Sequence, residues 1–309
     1  MTARLMLLDT ASLYFRAFYG VPDKVTAPDG SPINAVRGLL DIIAKLITVY
    51  EPTHVVACWD DDWRPQWRVD LIPSYKAHRV VDTPSSGTDT EEVPDSLQAQ
   101  IPLIREVLAA LSIPIIGVAE YEADDVIGTL ATKSVIPVDI VTGDRDLFQL
   151  VDDASGVRVV YTARGMSKLE VVTDAVVVAK YDVHPSQYAD FATLRGDSSD
   201  GLPGVSGIGA KTAAALLQSH GDLAGIRAGA DAAEGMSAAV RSKILAASAY
   251  LDVAPKVVKV ARNLDIVSPD TGLHPLSPAE VEAAIALAAT WNLGSAMTRA
   301  IAAISTIGE

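Results

Sequence analysis

The sequence predicts an α/β fold, with a mostly parallel sheet covered by helices on both faces and a mainly helical region after it. Three observations carry this reading. Short apolar runs recur through the first half, and several end on aspartate: LMLLD at Asp9, HVVACWD at Asp60 and VDIVTGD at Asp144. Helical patterns lie between those runs, the alternation that builds parallel sheets. After about Val172 the chain changes to short alanine-rich helices joined by glycine turns.

Taken in order, the expected strands are Arg4–Asp9, His54–Asp60, Ile113–Val118, Val138–Thr142 and Val157–Tyr161. The helical patterns are Ile33–Tyr50, Ser96–Leu111 and Glu122–Lys133, each with apolar residues at helical spacing. Asp61–Asp95 fits neither class, with tryptophan, arginine and lysine in its first half and turn-rich VDTPSSGTDTEEVPD in its second. A long, weakly structured insertion in a compact domain is usually functional, and this one starts directly after Asp60. The domain division expected is 1–172 for the core, including 61–95, and 173–309 for the helical region. Ala283–Thr298 reads as a core-facing helix, too short to span a bilayer.

The chain has 309 residues, 49% hydrophobic and 21% charged, which describes a globular protein with ample core. Cys58 is the only cysteine and sits in an apolar run, so it reads as a buried structural thiol in a reducing cytosol. No secretory signal opens the sequence, since Asp9 stops the LMLL run. A cytoplasmic, soluble, monomeric protein is expected. The net charge of −14 argues at first against a nucleic-acid partner. Nine acids of a single constellation account for much of it, leaving 30 of the 39 acidic residues against 25 bases.

Those nine are Asp9, Asp60, Glu122, Asp124, Asp125, Asp144, Asp146, Asp197 and Asp200. Singly, each has a plain alternative: a helix cap at Asp9, first-turn acids at Asp124 and Asp125, loop residues at Asp197 and Asp200. Together they fall at the ends of several strands, where open parallel sheets place their crevice. Gathered there they would repel one another unless hard divalent cations such as Mg²⁺ or Mn²⁺ lay between them. No histidine or cysteine shows zinc-ligand spacing, and no GxxxxGK[ST] loop supports nucleotide hydrolysis. Two hard cations a few ångströms apart suit in-line displacement at a phosphodiester, which points to a nuclease or phosphatase.

Two further signals point to nucleic acid. In LPGVSGIGAKTAAALL, Gly207 and Gly209 permit a tight turn, and Lys211 and Thr212 open a helix whose free N–H groups can take a phosphate. Leu202, Val205 and Ile208 can pin that turn into a core, which resembles the helix-hairpin-helix pattern that grips DNA backbone without reading sequence, a plain helical hairpin being the alternative. Arg64, Arg68, Lys76 and Arg79 interleave with Trp63, Trp67 and Tyr75, offering cations for phosphates and rings for unpaired bases. Arg16, soon after Asp9, could hold a phosphate or pair with an acid.

LLDTASLYFRAFYG, VACWD, SYKAHR, YEADDVIGTLA, VTGDRDLFQL and GDSSDGLPGVSGIGAKTAA, in this order, resemble the bacterial 5′-nucleases related to flap endonucleases. The resemblance implies a Rossmann-like (PIN-like) nuclease core, a helical arch over the site at 61–95, and a helix-3-turn-helix DNA-binding motif. It implies that all nine acids are metal ligands, with Asp9, Asp60, Glu122 and Asp124 mostly on one ion and the other five mostly on another. Lys76 and Arg79 would contact the scissile phosphate, Tyr75 would stack on a displaced base, and Arg16 would reach a phosphate. Two or more Mg²⁺ or Mn²⁺ ions are anticipated, with a monovalent cation at the helix-hairpin-helix turn. The implied partner is DNA with 5′ flaps, nicks or free 5′ ends, cut in replication and repair near the nucleoid. Two departures stand out: Gly201 where asparagine is frequent in the family, and an acidic arch tip carrying Asp89, Glu91, Glu92 and Asp95. A PIN-type ribonuclease and a DNA-structure binder without catalysis are the competing readings.

Overall fold

The computed structural model describes residues 3–82, 89–267 and 269–307. Its centre is a six-stranded sheet built from β1 (Leu5–Asp9), β2 (His54–Cys58), β5 (Ile115–Ile116), β6 (Val138–Thr142), β7 (Val157–Tyr161) and β8 (Glu170–Val172). The spatial order is β5-β2-β1-β6-β7-β8, parallel except for the β7–β8 pair. From β1 the chain works outward to β2 and β5, then crosses back to place β6 on the other flank of β1. The order therefore reverses between β1 and β6, which is where open α/β sheets bind ligands. Register sets Leu8 opposite both Ala57 and Val141, so the strand ends carrying Asp9, Asp60 and Asp144 lie side by side.

Strand alternation splits the core in two. Met6, Leu8, Val55 and Ala57 face α1 (Thr10–Gly20) and α2 (Asn34–Tyr50), where Leu39, Leu40 and Ile43 are buried at helical spacing. Leu5, Leu7, Val56 and Ile140 face the other way, onto Val126 and Ile127 of α6 (Ala123–Lys133) and Phe191 and Leu194 of α8 (Tyr188–Arg195). Cys58 is fully buried in this second layer. The helix expected over Ser96–Leu111 divides into α4 (Asp95–Gln98) and α5 (Ile101–Ala110), with Pro102 in the first turn of α5. Proline is favoured there because its missing N–H would be unpaired anyway.

The 61–95 segment does not stand as a tall helical arch among the described residues. It holds α3 (Gln66–Leu71), a 3₁₀ turn Ala77–Arg79 and a small antiparallel hairpin of β3 (Val80–Asp82) and β4 (Thr90–Glu91). Residues 83–88 of the expected arch lie outside the described residues. Beyond β8 and α7 (Asp174–Tyr181), the helical region comprises α8, α9 (Ala210–His220), α10 (Leu223–Ala232), α11 (Ala238–Ala246) and α12 (Ser248–Val258). The last two helices depart from the expected grouping with that region. α14 (Ser295–Ser305) lies along α2, and α13 (Pro278–Thr290) packs on α5 and α14. Leu293, Met297, Ala300 and Ile304 join the first core layer, because α2 presents a broad apolar face that the sheet alone does not cover. None of the described helices is long and apolar enough to cross a membrane.

Candidate active site

At the switch point lies a cleft of about 690 Å³ lined by Asp9, Asp60, Glu122, Asp124, Asp144 and Asp197, together with Arg16, Lys76 and Arg79. Asp9 closes β1 and caps α1: Oδ1 accepts from the Ser12 N–H at 3.2 Å, and Oδ2 accepts from the Thr142 hydroxyl at 2.6 Å. Asp60, two residues past β2, accepts from the Ala123 N–H at 2.8 Å, which ties it to the start of α6. Asp124 sits in the first turn of α6. Asp144 and Asp146 bracket the turn after β6, where Asp144 accepts from the Asp146 N–H at 2.8 Å. Asp197 and Asp200 occupy a tight loop after α8, held by a backbone exchange between Asp197 and Leu202.

Burial and mutual repulsion disfavour charge on five of these acids. Burial, with Asp60 and Asp144 adding, pushes Asp9 up to about 7 from 3.8, against the bonds from Thr142 and Ser12. Asp60 rises to about 6, again chiefly by burial. Asp124 and Asp146 are also held well above the ordinary carboxylate value, through burial and then neighbouring carboxylates, and Asp200 is raised as well. Asp146 Oδ1 is buried without a hydrogen-bond partner. Oxygen-only donors that destabilise one another in this way fit hard divalent cations. Among the described residues, however, no three such side chains converge as a ready-made cage for one ion.

Protein cations take up part of the charge, and here the geometry corrects the sequence reading. Arg68, expected at the DNA, is 2% exposed. It makes a bidentate pair with Asp125, both contacts at 2.8 Å, a further contact with Glu122, and donates Nε to the Val257 carbonyl at 3.2 Å. Burial opposes its charge, yet Glu122, Tyr75 and Asp125 raise its pKa. Asp125 in turn is fully buried and accepts from the Ala261 N–H at 2.7 Å and the Glu122 N–H at 3.2 Å. Its lone pairs are spent on structure, so it does not line the cleft as a metal ligand would. Tyr75, expected to stack on a base, is 4% exposed and packs with Ile72, Leu202 and Val258, its hydroxyl donating to Glu122 at 2.7 Å. Arg64 is buried too, donating to the Tyr75 and Pro73 carbonyls.

Lys76 and Arg79 do reach the acids. Lys76 pairs with Glu122, and Arg79 donates to the Ser199 carbonyl at 2.7 Å and to Asp200 at 3.1 Å. Arg16 lines the cleft with its Nε unpartnered, so it is not committed to an acid. Gly201 has φ +70, and a Cβ there would stand 2.1 Å from the Ser74 carbonyl oxygen. The glycine thus lets the 197–201 loop close against the 74–76 segment, where Ser74 Oγ donates to the Gly201 carbonyl and the Lys76 N–H to that of Asp200. The glycine therefore tightens the loop that carries Asp200.

From that loop the chain runs straight into the glycine turn. Leu202, Val205 and Ile208 are buried, Gly207 has φ +73, and Gly209 caps α9 without a side chain. Lys211 is exposed and Thr212 half-buried. Lys243 of α11 donates to the Gly207 carbonyl at 2.9 Å, placing an ammonium at the turn where a monovalent cation was expected.

A family model for the N-terminal resolvase-like domain of 5′-3′ exonucleases matches residues 4–182, and one for their C-terminal SAM fold matches 183–279. The chain belongs to the 5′-3′ exonuclease family. As a member it is a hydrolytic nuclease. A 5′-3′ exonuclease of Streptomyces coelicolor is 57% identical over 97% of this chain and 100% of the relative. One from Mycobacterium tuberculosis is 48% identical over 99% of each. DNA polymerase I of M. tuberculosis is 42% identical over 75% of this chain but only 24% of the polymerase. In fold, the nuclease is similar to T5 5′-exonuclease with bound divalent metal ions (zinc), at TM-score 0.65 and 18% identity, covering 99% of this chain and 100% of that one. It is also similar to the catalytic core of Rad2 in complex with DNA substrate, at TM-score 0.61 and 16% identity, over 99% and 92%.

Proposed function

We propose that this nuclease hydrolyses DNA phosphodiesters at 5′ flaps and free 5′ ends, using two or more Mg²⁺ or Mn²⁺ ions. The observation that carries the reading is the junction of two chemistries in one segment. The loop bearing Asp197 and Asp200 continues within ten residues of Asp200 through the Gly207 turn into the N-terminus of α9. A duplex held by its phosphates at that turn would run toward the acidic cleft. Asp9, Asp60, Glu122 and Asp124 would hold one ion, and Asp144, Asp146, Asp197 and Asp200 another. Bound there, hard cations supply an activated water and charge stabilisation at the leaving oxygen.

The chain's own groups orient the substrate. Arg16, Arg79 and Lys76 converge on the cleft as cations able to hold the scissile phosphate between the two acidic groups. Arg79 is only loosely committed, being a third exposed, and can turn from Asp200 to a phosphate at small cost. Lys76 must exchange Glu122 for the phosphate, so its contribution falls at the stage when charge builds on that phosphate. DNA with 5′ flaps supported by the turn is the substrate, and the likeness to DNA polymerase I supports replication and repair as the setting. Labelled flapped, nicked, blunt and single-stranded substrates, each with Mg²⁺, Mn²⁺ or a chelator, test the reading. Release of short 5′ products only with a divalent ion is expected; cleavage surviving chelation, or product released from the 3′ end, overturns it.

A further inference from the structure

Acids that end β1 and follow β6 can share a cation site only if a side chain holds them in mutual register. We propose that Thr142 is the positioning residue for the two-sided acidic cluster. Thr142 ends β6 and is completely buried. Its Oγ1 lies 2.6 Å from Asp9 Oδ2 and 2.8 Å from the backbone nitrogen of Asp144. A backbone N–H can only donate, so the hydroxyl accepts from Asp144 and its one proton is directed at Asp9. One side chain thus fixes the rotation of a carboxylate on β1 and the path of the turn carrying another on β6.

The surrounding bonds leave few alternatives. Asp9 Oδ1 is taken by the Ser12 N–H, and Ser12 Oγ accepts from the Gly143 N–H at 3.0 Å. The turn from Thr142 to Asp144 is therefore tied to α1 at one atom and to β1 at the next. With one donor on each Asp9 oxygen, one lone pair per oxygen remains for a cation. Outer partners that orient ligands in this way typically govern affinity by about 10–100-fold. Valine is nearly the same shape, suits a strand, and lacks only the hydroxyl, so it removes the orienting contact with least disturbance of packing.

The test rests on the metal-dependent reading and is arranged to separate the two. Mn²⁺ binding to the full chain is measured by calorimetry, alongside the Mg²⁺ half-saturation of flap cleavage, KM for DNA, and circular dichroism. Thr142→Val is expected to weaken Mn²⁺ binding and raise the Mg²⁺ half-saturation by about 10–100-fold, with KM for DNA unchanged. Thr142→Ser, which keeps the hydroxyl, is expected to bind Mn²⁺ close to wild type. Wild-type affinity in a folded Thr142→Val overturns the proposal, as does a folded Thr142→Ser that loses affinity as the valine variant should. If Thr142→Val fails to fold, the serine variant decides alone. Absence of Mn²⁺ binding by the wild type defeats the metal reading itself, and this proposal with it.

Discussion

At the scale of single residues, two aspartates with equal standing in the sequence have opposite roles in the fold. Asp125 satisfies a buried guanidinium and two backbone N–H groups, whereas Asp146 keeps a buried oxygen without any partner. Asp125→Asn would break the bidentate pair and leave Glu122 as the one carboxylate facing the buried Arg68 charge, and breaking a buried pair costs up to about 3–5 kcal/mol. Asp146→Asn removes a charge whose neighbours repel it, so the metal-free fold should hold or gain slightly while cleavage is lost. Urea unfolding of both variants, followed by a flap assay at a temperature where each is folded, checks the pair. Equal stability of Asp125→Asn and wild type would show that Asp125 is not the structural acid described. The strand-end position of the acids was legible because an apolar run ending in aspartate is a local pattern. Which acid faces a cation was not, since Arg68 and Asp125 are 57 positions apart and meet only through the packing of α3 on α6 and α12.

At the scale of elements, five of the six strands of the central sheet were legible because each is a compact apolar run, and α2 because its periodicity is long and uninterrupted. β8 was missed: three residues, EVV, carry too little pattern to be seen before an edge strand pairs them with β7. Cations and aromatics in the 61–95 segment read as an exposed gripping surface. In the fold, Arg64, Arg68 and Tyr75 are instead its anchors, which leaves Lys76 and Arg79 to face the cleft. The final helices show the same limit, since alanine-rich periodicity announces a buried face without naming its partner. That partner is α2, so Met297→Ala and Ile304→Ala, distant from the cleft, should each cost about 2–5 kcal/mol. Thermal unfolding with the flap assay checks this: lowered midpoints with KM for DNA kept are expected, and unchanged midpoints would mean α14 is not part of the core.

For the whole molecule, the charge of −14 becomes a statement about stability rather than about partners. Asp9 and Asp60 titrate at about 7 and about 6 in the fold, against 3.8 for the free side chain. Between those values the folded chain holds protons that the unfolded chain has released. The stability these groups contribute is therefore complete below about pH 4 and is lost as pH rises through 6 to 7. Asp29, Asp152 and Glu280, whose pKa values are lowered by hydrogen bonds, act in the opposite sense but only at more acidic pH, outside this window. The metal-free protein should accordingly melt at a falling temperature from about pH 4.5 to about pH 7. Mg²⁺ binds the deprotonated cluster, so its stabilising effect should grow over the same interval and flatten the profile. Asp9→Asn should reduce the slope of the metal-free curve, because its amide does not titrate. Differential scanning calorimetry across that range, with chelator and then with Mg²⁺, measures all three curves. A metal-free midpoint that stays level or rises with pH would mean that burial and mutual repulsion do not hold protons on these acids, and the electrostatic case for cations in the cleft would fail with it.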